Sequence, residues 1–167
     1  LRWTPDATIV NVGLHSPGRI LTLDHAGAIL SDYGWHSTIN GGKSYPSDVT
    51  SIAVNDQSTQ VASAGKDGSI EIYNIDMNTL QLNIYRRLSA NLLREITIHP
   101  LEPFVAFAES SGTATVRDTS TGQIMMQCFH PDFGQPIGVL PFAKSIIMHD
   151  FQTIVGFSDG VIVACGS

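Results

Sequence analysis

No run of apolar residues in this 167-residue chain is long enough to cross a bilayer as a helix, and its start shows no signal-peptide pattern. Charge is sparse too: Asp, Glu, Lys and Arg make up 14 % of the residues and the balance is −6. That leaves no basic footprint of the kind that grips a phosphate backbone, so nucleic acid is a disfavoured partner. Cysteine is scarce. Cys128 and Cys165 lie far apart without metal-ligand spacing, and two cysteines make no framework, although a single bond between them stays open. No Asn-Xaa-Ser/Thr acceptor site occurs. Both scarcities favour an intracellular setting, cytoplasmic or nuclear. What the chain does have is 43 % apolar residues, enough for a folded core, together with 15 Gly and 8 Pro, which suit a turn-rich all-β chain.

The chain also repeats itself. Residues 50–84 align with residues 94–128 at an offset of 44 without a gap. Ile52 falls on Ile96, Val54 on Ile98, Val61 on Val105, Ala62 on Ala106 and Ala64 on Ala108. Gly68 falls on Gly112, Ile72 on Val116 and Asn74 on Asp118. A period in the forties is that of a propeller blade, a four-stranded sheet stacked against its copies around an axis. In the first copy the strands are expected near 50–54, 60–65, 69–75 and 80–86. The second strand is small and apolar ("QVASAG"), as an inner strand covered on both sides must be. The fourth alternates, with Leu80, Leu82 and Ile84 facing one way and Gln81, Asn83 and Tyr85 the other. Fainter copies flank the pair. "TIVNVGLHS", "RILTLDHAG" and "AILSDYGWH" give three strands at the front; "SIIMHD", "TIVGFSDG" and "VIVACGS" give three at the back. A second register would open the last unit on "PIGVLPF" (136–142), and the two stay open.

"VTSIAV" (49–54), "VASAGKDGSIEIYNI" (61–75), "ITIHP" (96–100) and "GTATVRDTSTGQ" (112–123) resemble the WD40 repeat family. The resemblance is closest over 49–129 and looser elsewhere. It implies an all-β fold, a β-propeller of four-stranded antiparallel blades, here at about 8–38, 49–88, 93–130 and 136–167. The family's aromatic-Asp ending of the third strand becomes Tyr73-Asn74 and Arg117-Asp118, and its turn aspartate matches Asp67 and Asp159 but gives way to Ser111. Its opening Gly-His pair is absent, so the buried His/Ser/Asp/Trp network that the family carries is expected to be incomplete in every copy. Asp67 then supports only its own turn. Arg117 in the aromatic slot brings a charge near the interior, which is costly unless paired. Four blades are also too few for the family's seven-bladed ring and would leave apolar faces bare. The chain, opening on "LRWTPDA" and stopping at "VACGS", is therefore expected to be a segment of a larger propeller, or one that another chain completes, with a compact four-bladed ring as the less favoured alternative.

No catalytic, cofactor or metal site emerges from the residues. None of the six histidines lies within four residues of another, and locally satisfied turn histidines are the simpler account. Asp24-His25 and His149-Asp150 lack a nucleophile in an activating context. "INGGKS" (39–44) lacks the first Gly of a phosphate loop and the helix that should follow it, and is better read as a connection between blades.

Two stretches remain. "QLNIYRRLSANLLRE" (81–95) is the most basic part of the chain and offers Tyr85, Arg86, Arg87 and Arg94 to an acidic partner; Tyr and Arg are enriched where interfaces hold tightly. "CFHPDFGQPIGVLPF" (128–142) is long for a blade connection, and Phe133 and Phe142 in it are candidate docking anchors. The expectation is a non-catalytic protein–protein interaction module, a propeller segment in a scaffold or regulatory subunit of a multiprotein complex. Its partners would be other proteins and the rest of its own propeller. The rivals are a propeller that binds phosphoinositide or nucleic-acid head groups, or a propeller enzyme.

Overall fold

The computed structural model describes residues 2–3, 9–14, 19–40, 43–76, 78–90, 93–110, 112–129, 131, 143–149, 152–157 and 159–166. Every regular element among them is a strand. Strands β1 (Arg2–Trp3), β2 (Ile9–Gly13), β3 (Arg19–Asp24) and β4 (Ile29–Trp35) pair in chain order as the first antiparallel sheet. A separate hairpin follows, β5 (Ser37–Asn40) against β6 (Lys43–Pro46). The second sheet is β7 (Val49–Val54), β8 (Gln60–Gly65), β9 (Ser69–Asp76) and β10 (Gln81–Ser89). The third is β11 (Leu93–Ile98), β12 (Phe104–Glu109), β13 (Thr113–Asp118) and β14 (Ile124–Phe129). The fourth has three strands among the described residues: β15 (Ala143–His149), β16 (Gln152–Phe157) and β17 (Ile162–Cys165).

The sequence repeat is a repeat of register. Ala62 pairs with Ile72 and Ala64 with Ile70 in the second sheet; Ala106 pairs with Val116 and Ala108 with Ala114 in the third. The hairpin turns repeat as well. Gly68, Gly112 and Gly160 all take positive φ (79°, 83° and 91°), which costs a residue without Cβ nothing. Each donates its amide three residues back, to Gly65, Glu109 and Phe157 respectively.

The core lies between the sheets. Ile20 of the first meets Val49, Ile52, Val61, Tyr73 and Leu82 of the second. Ala53, Ala62, Ile70, Ile72 and Leu88 of the second meet Leu93, Ile96, Val105 and Phe107 of the third. Ala106, Ala114, Val116 and Cys128 of the third meet Val155 and Phe157 of the fourth. The inner strand β8 is thus buried on both faces and reads as continuously small and apolar, whereas the outer β14 is mostly exposed. Side chains this small let the sheets approach closely, and each junction removes apolar surface from water at roughly 25 cal/mol per Å².

The arc stays open. Strand packing joins first sheet to second, second to third and third to fourth, and no substantial packing joins the fourth to the first among the described residues. Each end face shows apolar side chains: Leu21 and Leu23, only partly buried, and exposed Ile29 stand beside the Arg19–Asp32 ion pair at one end, and Ile154 and Ile162 are exposed at the other.

One feature departs from the sequence reading and two others refine it. The alternation of β10 breaks at a bulge between Ile84 and Arg86, where Tyr85 is the unpaired residue. Leu88 therefore turns inward while Ile84 and Tyr85 stay exposed. Of the stretch 39–44, read as a connection between blades, residues 39–40 belong to β5 and residues 43–44 to β6, a paired hairpin between the first two sheets. "SIIMHD" forms most of β15; the rival opening at 136–142 lies outside the described residues.

Candidate functional site

The junction of the first and second blades is sealed by a polar network. His36, fully buried, follows β4 and reaches across to the second sheet. Its Nδ1 lies 2.7 Å from Ser69 Oγ and 3.3 Å from Asp67 Oδ1, and its Nε2 lies 2.8 Å from Ser63 Oγ. The Ser69 hydroxyl donates to Asp67 Oδ1 at 2.8 Å, so Ser69 Oγ is left to accept from His36. These partners assign the ring proton to Nδ1 and leave Nε2 to accept from Ser63. Asp67 Oδ1 also accepts from the Ser69 amide at 3.0 Å. Burial pushes the Asp67 carboxyl up, but the hydrogen bonds from His36 and Ser69 outweigh it and hold it below the usual carboxylate range. Gly65 makes room for all this: a Cβ built there would overlap both His36 Nδ1 and Asp67 Oδ1.

The network continues to the outer strand. Tyr73, on the same face of β9, hydrogen-bonds the Glu71 carboxylate, which also takes an ion pair from Arg87 of β10. Burial, with Glu71 beside it, pushes the Tyr73 phenol far above its ordinary value. The expectation of an incomplete network is therefore corrected. The histidine is present, but Trp35 stands before it instead of Gly, and the β5–β6 hairpin is inserted between it and β7. That insertion is why neither motif nor spacing found it.

The candidate partner residues are dispersed by the fold. Tyr85 sits exposed on the bulge, 43 % accessible. Arg87 holds buried Glu71, with its own side chain 56 % exposed. Arg86 points to the other side and donates to the backbone carbonyls of Ser120 and Thr121 in the third blade. Its guanidinium thus ties adjacent blades. Arg94 Nε donates to Ser110 Oγ at 3.2 Å. Phe133 and Phe142 lie outside the described residues.

The junction of the second and third blades is built differently. Phe107 stands where Ser63 stands one blade earlier, and Arg117 where Tyr73 stands. The Arg117 guanidinium lies 5.9 Å from the Phe107 ring centroid. Its Nε is buried and without a hydrogen-bond partner among the described residues. Arg117 lines a cleft of about 360 Å³ with Ser89, Ala90, Glu109, Thr115, Ile124 and Gln127.

Other polar residues are taken up by turns. Asp24, Asp76 and Asp118 each accept two backbone amides just downstream. The Ser120 hydroxyl and neighbouring amides hold Asp118 below the usual carboxylate range, and the Asn78 and Thr79 amides do the same for Asp76. His99 Nδ1 accepts from the Glu102 amide at 2.9 Å while its ring meets Phe104 edge-on. At the third junction Cys128 of β14 and Cys165 of β17 are joined as a disulfide, with Cα atoms 6.0 Å apart.

No protein-family profile matches the chain. No curated protein matches it by sequence. Solved structures do. The chain superimposes on the β-propeller domain of Cps50 (Swd1) from Myceliophteria thermophila with a TM-score of 0.78 and 13 % identity, over 99 % of this chain and 50 % of that one. It thus spans about half the length of that domain. It is also similar to the computationally designed Ika4 protein, with a TM-score of 0.69 and 21 % identity over 95 % of this chain and 85 % of that one. At such identities the likeness speaks for the fold alone, and with the stacked sheets described above it makes the chain an all-β propeller of antiparallel blades.

Proposed function

We propose that the chain is an arc of a larger propeller of the WD40 type and works as a non-catalytic protein–protein interaction module, a scaffold or regulatory segment within a multiprotein complex. The observation that carries this reading is the uncovered apolar side chains on the outer faces of the end blades, Leu21, Leu23 and Ile29 beside the Arg19–Asp32 pair on the first and Ile154 and Ile162 on the last. Bare apolar faces of this kind call for covering blades, from the rest of the same propeller or from a partner chain. This chain covers half of the Cps50 β-propeller domain. Around the arc, rigid strands hold exposed side chains at fixed positions, among them Tyr85, Arg87 and Arg94, which is the arrangement that suits broad protein surfaces. Phe133 and Phe142 remain in the proposal as docking residues on the connection before the last blade.

A photo-cross-linkable residue in place of Tyr85, in the full-length protein in cells, tests the reading. A discrete protein adduct in stoichiometric yield supports it; absence of any adduct there and at Arg94, or substrate turnover by the purified protein, overturns it. We place the protein inside the cell, cytoplasmic or nuclear, on its scarcity of cysteine and lack of glycosylation sites. The Cys128–Cys165 bond opposes that placement, since disulfides persist in oxidising compartments. Thiol counting on protein trapped in alkylating lysis decides: two free thiols support the intracellular setting, none contradicts it.

A further inference from the structure

The geometry points to the cleft between the second and third blades as a docking site for an acidic peptide segment, with Arg117 receiving a carboxylate. This inference rests on the interaction-module reading and gives it a location and a ligand chemistry.

Arg117 is the observation that carries it. Its Nε is buried and meets no acceptor among the described residues. An orphaned, charged donor held out of water is costly in the free protein, and a ligand that supplies an acceptor relieves that cost. The guanidinium already lies over the Phe107 ring, so little side-chain freedom is lost when a ligand arrives. Nε and a terminal nitrogen of a guanidinium present two parallel donors, the pattern that a carboxylate accepts side-on. Two more arginines bond to the third blade, Arg94 to Ser110 and Arg86 to the carbonyls of Ser120 and Thr121.

The lining favours a peptide over a phosphate ligand. Glu109 shares the cleft with Arg117, which opposes a dianion more than a single carboxylate. Thr115 and Gln127 supply a hydroxyl and an amide, partners for a peptide backbone, and Ile124, 51 % exposed, forms an apolar wall. A volume of about 360 Å³ fits a side chain with its flanking backbone and not a folded domain. The expected ligand is a short segment with Asp or Glu beside an aliphatic residue.

The test uses the full chain and a fluorescein-labelled peptide, Gly-Leu-Glu-Glu-Leu-Asp-Gly, read by fluorescence anisotropy. Saturable binding is expected, lost when lysines replace the acidic residues. Arg117→Met keeps the stem against Phe107 and should weaken binding by about tenfold or more, while Arg117→Lys falls between. Arg19→Met in the first blade should leave binding unchanged. Thermal melting of each variant reports folding. Should Arg117→Met fold poorly, hydrogen exchange on the wild type decides, with added peptide protecting amides of β13 and β14. Equal binding by wild type and Arg117→Met, no saturable binding at millimolar peptide, or no protection at those strands overturns the proposal. Inorganic phosphate or an oligo-dT strand displacing the peptide and binding more tightly overturns it too, in favour of a phosphate ligand. If the cross-links at position 85 persist while Arg117→Met binds normally, the cleft fails and the module reading stands; if the cross-links vanish, the module reading fails by itself.

Discussion

The first and second junctions of this arc solve one packing problem in opposite ways. Where the second blade faces the first, Ser63, Gly65, Glu71 and Tyr73 form a closed polar set around His36, and every charge has a partner. Where the third blade faces the second, the corresponding residues are Phe107, Glu109, Thr115 and Arg117, and a cleft remains, lined by Arg117, whose buried Nε, like that of Arg86, has no hydrogen-bond partner among the described residues. The hairpins β8–β9 and β12–β13 keep one register, and along them the difference lies in a handful of inward side chains. A buried network that is fully satisfied fixes a junction, whereas one left half-satisfied is open to a ligand.

The comparison breaks most sharply at Gly65. Gly65→Ala should drive His36 from its place and strand Asp67 and Ser63, costing about 3 kcal/mol from overpacking and lost hydrogen bonds together. Chemical denaturation reads this directly. A loss under 1 kcal/mol would mean that the network contributes little, and the contrast between the junctions would disappear.

A third junction supplies a covalent standard for the same comparison. The Cys128–Cys165 bond closes a loop of 37 residues between adjacent blades, so reducing it should lower stability by about 2–4 kcal/mol if the arc unfolds as one unit. If the melting midpoint is unmoved by reductant while thiol counts confirm cleavage, packing of Ala106, Val116, Val155 and Phe157 alone holds the fourth blade.

Most of the fold was legible in the sequence because the repeat is carried by apolar spacing, which the sheet register preserves from Ala62↔Ile72 to Ala106↔Val116. The bulge at Tyr85 was not legible, since one extra residue in β10 reverses the alternation without leaving a mark in composition. His36 was missed for a related reason: a motif read by spacing fails when a hairpin is inserted inside it. Arg117 was noticed as a cost, and the structure shows that the cost is unrelieved at Nε. Arg86 and Arg87 read as a single exposed pair, but they sit past the bulge on opposite faces of the strand, one tied to the next blade and the other to Glu71.

Acid should act on the first junction through Asp67. The Asp67 carboxyl lies below its unfolded value of 3.8, so its contribution is complete above that value and disappears as pH falls through the lower, folded one. Stability measured between pH 5 and pH 2 should therefore decline, and Asp67→Asn should flatten that decline while lowering stability at neutral pH. An unchanged acid limb in Asp67→Asn would place the acid sensitivity elsewhere, for example in the exposed turn aspartates Asp76 and Asp118, which are also held below their usual range.

The smallest expected effect is the most discriminating. Arg117→Met removes the orphaned donor and keeps an apolar stem against Phe107, so stability should change by less than about 0.5 kcal/mol or rise slightly. At the other junction, Tyr73→Leu leaves the Glu71 carboxylate with Arg87 alone and should cost about 1–3 kcal/mol. These two substitutions fall on positions that align blade to blade. If Arg117→Met costs as much as Tyr73→Leu, the arginine is a structural member of its junction, and the cleft is not held open for a ligand.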